Sequence, residues 1–260
     1  GLRFRRWHGY LPLLGHRLSW RFNLHAYLTG FALTTTPGKA GEALRGLFLK
    51  PVGIPYTQSV GALFAERFSD LIAVVVLSLP GLWLYPPARP LVVAACVLLP
   101  LGVWALQREV WLETMRVRVA GVSRWAIALQ HGLEMAQCAG RLLQPTPMIL
   151  GLVLGLLAWG AEAFAFYYLL EQMGLGIALS VAVFIYSFSM LVGAVSFLPG
   201  GLGSAEITMV LLLVLNGASN AEAASATVVI RLATLWFAVV IGVVTLIRPP
   251  LPTNISTADQ

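Results

Sequence analysis

The sequence predicts an all-α, polytopic membrane protein built from two inverted repeats, each with a broken or re-entrant helix pair and a long helix. Three observations carry that prediction. The 260 residues are 58% hydrophobic and only 11% charged, where soluble domains carry about 25% charged residues. Segments 71–88, 90–107, 142–161 and 172–205 contain no Asp, Glu, Lys or Arg, and about 18 apolar residues suffice to cross a hydrocarbon core of roughly 30 Å. Finally, one unusual pattern occurs twice, as TPGKAGEALRGLFLK at 36–50 and LPGGLGSAEITMVLLLVL at 198–215. Each is a Pro-Gly break, a Glu and the start of an apolar helix. Glu42, Gly53 and Arg67 match Glu206, Gly217 and Arg231 at one offset (206 − 42 = 217 − 53 = 231 − 67 = 164). Shared Leu and Val positions prove little in an apolar chain, but a Glu, a Gly and an Arg in step point to a repeat, and in membranes such repeats point to transport.

Taken in order, residues 1–21 are basic and amphipathic, with Arg3, Arg5, Arg6, Arg17 and Arg21. A short apolar helix over 22–36 is stopped by Pro37-Gly38, and a second short helix covers about 39–50. Long helices follow at about 57–84 and 90–107, then a segment of mixed polarity at 108–145. Helices at about 147–171, 178–197, 204–216 and 222–247 complete the membrane part, and residues 251–260 read as a disordered tail. Residues 1–250 thus form one domain, with repeat one at about 22–84 and repeat two at about 178–247. In the 108–145 segment, Trp125, Leu129, Leu133, Ala136 and Leu143 recur at helical spacing with Arg124, His131, Glu134 and Arg141 elsewhere around the helix. Such a helix either lies on a bilayer surface or packs as a linker on the protein's own loops.

Lys and Arg concentrate in the N-terminal segment, in 36–50, in 108–145 and at Arg248, while the other loops are nearly bare. Positive-inside bias then places both termini and the 108–145 segment in the cytoplasm. Helix 57–84 runs outward, 90–107 inward and 147–171 outward. The broken pair 178–216 contributes zero or two crossings, so helix 222–247 runs inward, opposite to 57–84, and the repeats are inverted.

Inversion brings Arg67 and Arg231 to the midplane, each about ten residues or roughly 15 Å deep from opposite faces. Intramembrane charges are costly and face a cavity or a partner. Arg67 has Asp70 at i,i+3 on its own helix, which leaves Glu66 for another helix. Arg231 has only Thr227, Val228, Thr234 and Leu235 at i±3 and i±4, so Glu206, Glu162, Glu66 or a bound anion must neutralise it. Glu42 and Glu206 fall in the first turn of helices after Gly-rich breaks. They either complement the helix dipole, with Ser204 as the N-cap, or flank free N–H groups that hold an anion, with Lys39 and Arg45 beside the first. Gly38, Gly41, Gly200, Gly201 and Gly203 permit close backbone approach. Two cysteines and four scattered histidines give neither a disulfide framework nor metal-ligand spacing. No Gly-x-x-x-x-Gly-Lys-Ser/Thr loop for ATP is present, and no cofactor or nucleic acid is implied. The chain opens on Gly1 without a methionine or signal peptide, as a fragment or processed chain does.

Together Pro37-Gly-Lys-Ala-Gly-Glu-Ala-Leu-Arg45, Gly53, Ala65-Glu-Arg-Phe-Ser-Asp70, Phe197-Leu-Pro-Gly-Gly-Leu-Gly-Ser-Ala-Glu206, Gly217 and Arg231 resemble the lysylphosphatidylglycerol synthase transmembrane family. These are flippase-like domains also found in multiple peptide resistance factors. The resemblance covers roughly residues 3–248 and implies movement of an anionic or aminoacylated phospholipid, or a polyprenyl- or glycolipid, between leaflets of the cell inner membrane. It differs in two ways: family members usually have further membrane helices before Arg6-Trp7, and no soluble aminoacyl-transferase segment accompanies this sequence, which speaks against lipid synthesis. On this reading Lys39, Arg45, Arg67 and Arg231 contact phosphate. Glu42, Glu66, Asp70, Glu162 and Glu206 tune those cations or take a cationic headgroup. Gly200, Gly201 and Gly203 line the same passage. Partners would be a membrane lipid, with a lipid-modifying enzyme or a second copy as further possibilities. Two other classes compete: an intramembrane headgroup transferase, and a non-transporting partner of a lipid-synthesis enzyme.

Overall fold

The computed structural model describes residues 1–248 apart from 120 and 122, and for residues 37–40 the backbone only. The tail expected to be disordered, 251–260, lies outside the described residues. Among them no strand occurs. The helices are α1 (Leu2–Leu13), α2 (Trp20–Thr29), α3 (Arg45–Leu49), α4 (Tyr56–Ser78), α5 (Arg89–Leu106), α6 (Glu109–Arg118), α7 (Arg124–Leu142), α8 (Pro145–Gln172), α9 (Leu179–Val195), α10 (Ser204–Leu215) and α11 (Asn220–Ile247). Three helical stretches are long and apolar enough to cross a membrane: Pro86–Leu106, Pro145–Gln172 and Asn220–Ile247. At 23 residues, α4 is about 34 Å long but carries Glu66, Arg67 and Asp70.

The termini follow local chemistry. Pro145 opens α8 at a position where its missing N–H costs nothing. Ser219 caps α11 reciprocally with Glu222: the Ser219 N–H donates to the carboxylate at 2.8 Å, and the Glu222 N–H donates to the serine hydroxyl at 3.3 Å. Gly53 and Gly217, matched at the offset of 164, both adopt left-handed backbone (φ 87° and 94°), which only glycine takes freely. The match extends to the long helices, which begin at Tyr56 and Asn220 (220 − 56 = 164). Arg231 is followed at once by a π-helical turn, Leu232–Trp236, a distortion that recurs at functional sites.

Two of the expected helices are corrected. Residues 30–33 and 37–44 are 3-10 turns, not α-helix, so α2 and α3 are shorter than the pattern suggested. Thr36 is extended and precedes Pro37, where proline disfavours helix in its predecessor. The segment 108–145 divides into α6 and α7. The second half of α7 packs on α4, with Cys138, Ala139 and Leu142 buried, while Trp125 and Leu129 remain exposed. The second half thus packs on the protein itself, on a helix and not on loops, while the first half leaves its apolar side chains uncovered.

α4 threads two apolar cores. Ala62 and Ala65 join Trp7, Leu11, Leu49 and Leu142 in one; Ala73, Val74 and Val75 join Phe166, Phe184, Leu213 and Ile230 in the other. Glu66, Arg67 and Asp70 fall at the junction between the two. The packing around this centre is reciprocal. α9 lies against α4, and a Cβ on Gly81 beyond its end would meet the Phe184 ring. α11 lies against α2 and residues 30–33, where a Cβ on Gly242 would stand 2.1 Å from the Ala32 nitrogen. The two breaks touch as well, since a Cβ on Gly200 would stand 3.3 Å from the Thr35 Cα.

Candidate functional site

Buried charge must be paired, because an isolated ion in a low-dielectric interior loses its hydration without compensation. The chain solves this with two clusters. In the larger, Arg45 of α3 places Nη2 2.5 Å from Glu66 Oε2, and its guanidinium lies 3.7 Å above the Trp7 ring. Arg6 of α1 donates from Nη2 to Asp70 Oδ1 at 2.8 Å and from Nη1 to the Gly151 carbonyl at 3.4 Å, with Nε 3.8 Å from Glu66. Arg67 Nη2 stands 3.1 Å from Asp70 and 3.7 Å from Glu42, whose other oxygen accepts from the Thr34 hydroxyl at 3.1 Å. Arg6, Glu42, Arg45, Glu66 and Asp70 are all buried.

At the edge of this cluster Arg3 reaches Glu162 of α8 at 2.8 Å and lies 4.3 Å above Trp159. The Tyr186 hydroxyl donates to the same carboxylate at 2.7 Å. Glu162, one of the expected counter-charges for Arg231, is thus committed elsewhere.

The smaller cluster belongs to Arg231, whose Nε meets Glu206 Oε1 at 2.5 Å. Its Nη2 donates to the Gly200 carbonyl at 2.9 Å, and Nη1 approaches the Met190 sulfur at 3.7 Å. Arg231 is only 6% exposed and is neutralised from another helix, as its own sequence neighbours required. Glu206 accepts the Gly203 N–H at 2.7 Å through its second oxygen, so one carboxylate both caps α10 and neutralises the arginine. The expected cap, Ser204, instead begins the helix and donates to Gly201 O and Ser196 Oγ. Glu42 is a further correction. It sits within the 3-10 turn before α3, not in the first turn of an α-helix, and its partners include Thr34 and Arg67.

The structure therefore gathers Glu42, Arg45, Glu66, Arg67 and Asp70 in one place, and Gly200, Gly203, Glu206 and Arg231 in another. Gly201 serves packing, its Cα side lying against Gly193. Gly38 lies in the 3-10 turn 37–44, and the side chain of Lys39 falls outside what is described. Arg3, Arg6 and Tyr186 are not among the residues that the sequence singles out for the site, where residues 1–21 read only as basic and amphipathic. Signals were present: Arg3, Arg6, Trp7 and Tyr10 share one helical face, and Gly151-x-x-x-Gly155 leaves a groove on α8 in which the Arg6 and Tyr10 side chains lie.

The Lysylphosphatidylglycerol synthase TM region family model matches residues 2–242. A UPF0104 membrane protein of Methanothermobacter thermautotrophicus is 26% identical over 251 residues, covering 89% of this chain and 75% of that protein. A UPF0104 membrane protein of Pyrococcus horikoshii is 23% identical over 268 residues, covering 91% and 79%. No solved structure matches the chain significantly. With spans of membrane length around two buried Glu–Arg clusters, and a family match over nearly its whole length, the chain is a membrane protein that belongs to the lysylphosphatidylglycerol synthase transmembrane-region family.

Proposed function

We propose that this chain moves a lipid between leaflets, passing the headgroup through the polar junction on α4 while the acyl chains stay in the bilayer. The observation that carries the reading is the pair of contacts Glu42–Arg67 and Glu206–Arg231, matched at one sequence offset in a chain with few charges. A stably folded apolar bundle gains little from buried ion pairs, since desolvation consumes most of the Coulomb attraction. Charges retained in such places mark ion or substrate pathways in membrane proteins.

The two halves are read as inverted repeats related by an axis in the membrane plane, with Arg67 and Arg231 meeting near the midplane. The reciprocal packing of α4 on α9 and of α11 on α2 supports a two-fold relation between the halves, and the opposite directions expected for α4 and α11 support an axis in the membrane plane. The chain sits in the cell inner membrane with both ends on the cytoplasmic side. Two of the N-terminal arginines, the buried Arg6 and the half-buried Arg3, are committed to ion pairs, so this orientation rests on Arg5, Arg17, Arg21 and the basic α6–α7 segment. The lipid is an anionic or aminoacylated phospholipid, or a polyprenyl- or glycolipid. Its phosphate would exchange onto guanidinium groups that carboxylates hold in the closed state, since both ligands suit the same planar donor. A lipid-modifying enzyme or a second copy is a natural partner.

Proteoliposomes containing the purified chain and labelled phosphatidylglycerol or aminoacylated phosphatidylglycerol test this reading by leaflet-selective quenching. Movement without chemical change is the expected result. Chemical change would indicate a headgroup transferase, and neither outcome in any lipid would indicate a non-transporting partner.

A further inference from the structure

The α6–α7 hairpin has no part in the polar junction, yet its surface is unusual for a segment outside the spans. Val110 and Trp125 are each 83% exposed, and Trp111, Val117, Ile127 and Leu129 are exposed too. On α6 the exposed Val110, Trp111, Thr114, Val117 and Arg118 form a single helical face. The carboxylates of the hairpin are all committed internally: Glu113 to Gln137 and Arg116, Glu134 to Arg116, and Glu109 to Arg141. Arg118 and Arg124 have no carboxylate partner among the described residues, so the charge left over for an outside partner is positive. Clefts of about 710 and 660 Å³ run along α6, both bordered by Val110, Thr114 and Arg118.

Its position is fixed by the ends of two spans. A Cβ on Gly140 would stand 2.0 Å from the Leu106 carbonyl oxygen, and Gln107 donates to the Leu143 carbonyl at 2.6 Å. The hairpin is thereby held where α5 ends and α8 begins, at the ends of two stretches long and apolar enough to cross a membrane. Nearby, Arg108 stacks 4.4 Å from the Trp104 ring, an aromatic and a cation at the end of a span.

We propose that the α6–α7 hairpin docks on an anionic phospholipid bilayer, with Trp111, Val117, Trp125 and Leu129 at the headgroup–acyl boundary and Arg118 and Arg124 on lipid phosphates. The chemistry selects that partner. Tryptophan prefers the boundary because its ring is apolar while its N–H needs a polar neighbour. Uncommitted arginines add attraction that only a negatively charged surface supplies. This docking is independent of whether the protein moves lipid.

The test uses the whole chain carrying Cys96→Ser and Cys138→Ala, with one nitroxide attached after Val117→Cys, Leu129→Cys or His131→Cys. It is reconstituted in nanodiscs of phosphatidylcholine alone, or of phosphatidylcholine and phosphatidylglycerol at three to one. In the mixed discs, labels at 117 and 129 should be reached by oxygen and shielded from a water-soluble nickel chelate, with 131 in water. Arg118→Gln with Arg124→Gln should lower the ratio of immersed to exposed label roughly 30-fold, and high salt should act in the same direction. Circular dichroism confirms that these exposed substitutions leave the helices intact. Labels wet in both lipids, as for a free hairpin or one covered by a protein, overturn the proposal. Equal immersion in both lipids, unmoved by salt or by the arginines, overturns the anionic preference.

Discussion

Arg231 Nε lies 2.5 Å from Glu206 Oε1, and the same carboxylate caps the Gly203 N–H. The arginine also holds the Gly200 carbonyl, so one side chain ties the Pro-Gly break to the start of α10. Removing one member of a buried pair costs about 3–5 kcal/mol. Here the cost should fall at or below the lower end, because Glu206 keeps its cap and is partly exposed. Arg231→Ala is therefore expected to stay folded, by gel filtration and thermal unfolding in detergent, while losing lipid movement in proteoliposomes. Arg231→Lys should rescue little, since a single ammonium cannot serve Glu206 and Gly200 as the planar fork does. An active Arg231→Ala protein would remove this residue from the mechanism.

Arg45 should behave differently. It is almost fully buried between Glu66 and the Trp7 ring, so Arg45→Ala strands Glu66, with Arg6 Nε at 3.8 Å as its remaining cation. A stability loss of about 3–5 kcal/mol is expected. The double change Arg45→Met with Glu66→Leu removes both charges and should recover most of that loss while abolishing transport. If the double variant transports, the pair is structural only.

The Glu113 carboxyl lies outside the spans and is held below its ordinary value of 4.5, first by the hydrogen bond from Gln137 and then by Arg116. A depressed folded-state pKa means stability that is present above the unfolded value and lost as pH falls through the folded one. Local exchange protection of α6 against α7 should thus be steady near neutrality and drop below about pH 4.5. Gln137→Leu should flatten that drop in hydrogen exchange; an unchanged pH profile would show that the contact does not hold the hairpin.

Much of this fold was legible because apolar periodicity and charge-free runs depend on local sequence alone. The Pro-Gly breaks, the start of α8 and the cross-helix neutralisation of Arg231 follow from such rules. What escaped depended on contacts between distant segments. Arg3 and Arg6 read only as part of a basic amphipathic segment, because the room that Gly151 and Gly155 of α8 leave for Arg6 depends on a contact 145 residues away. Glu162 stands among several candidate counter-charges for Arg231 on charge alone; Glu206 takes that place, and Arg3 and Tyr186 claim Glu162. The 3-10 geometry of 37–44 was hidden as well, since glycine-rich sequence is compatible with several tight turns.

Reciprocal packing makes a last prediction. A side chain at Gly242 must collide with backbone, the Ala32 nitrogen at 2.1 Å, whereas one at Gly81 meets the Phe184 ring. Backbone cannot rotate away, and rotation of the ring does not relieve the other contact either, because Phe184 Cγ and Cβ would stand 2.0 and 2.4 Å from the added carbon. Gly53 is a useful control, for its Cβ would enter open space and only the left-handed backbone opposes substitution. Gly53→Ala should therefore cost about 1–2 kcal/mol, and Gly81→Ala and Gly242→Ala each clearly more, the latter through displacement of residues 30–33 from α11. Thermal unfolding of the three variants in one detergent gives the order. Gly242→Ala unfolding no earlier than Gly53→Ala would show that α11 does not press on the first break, and the reciprocal arrangement would then lose one of its two contacts.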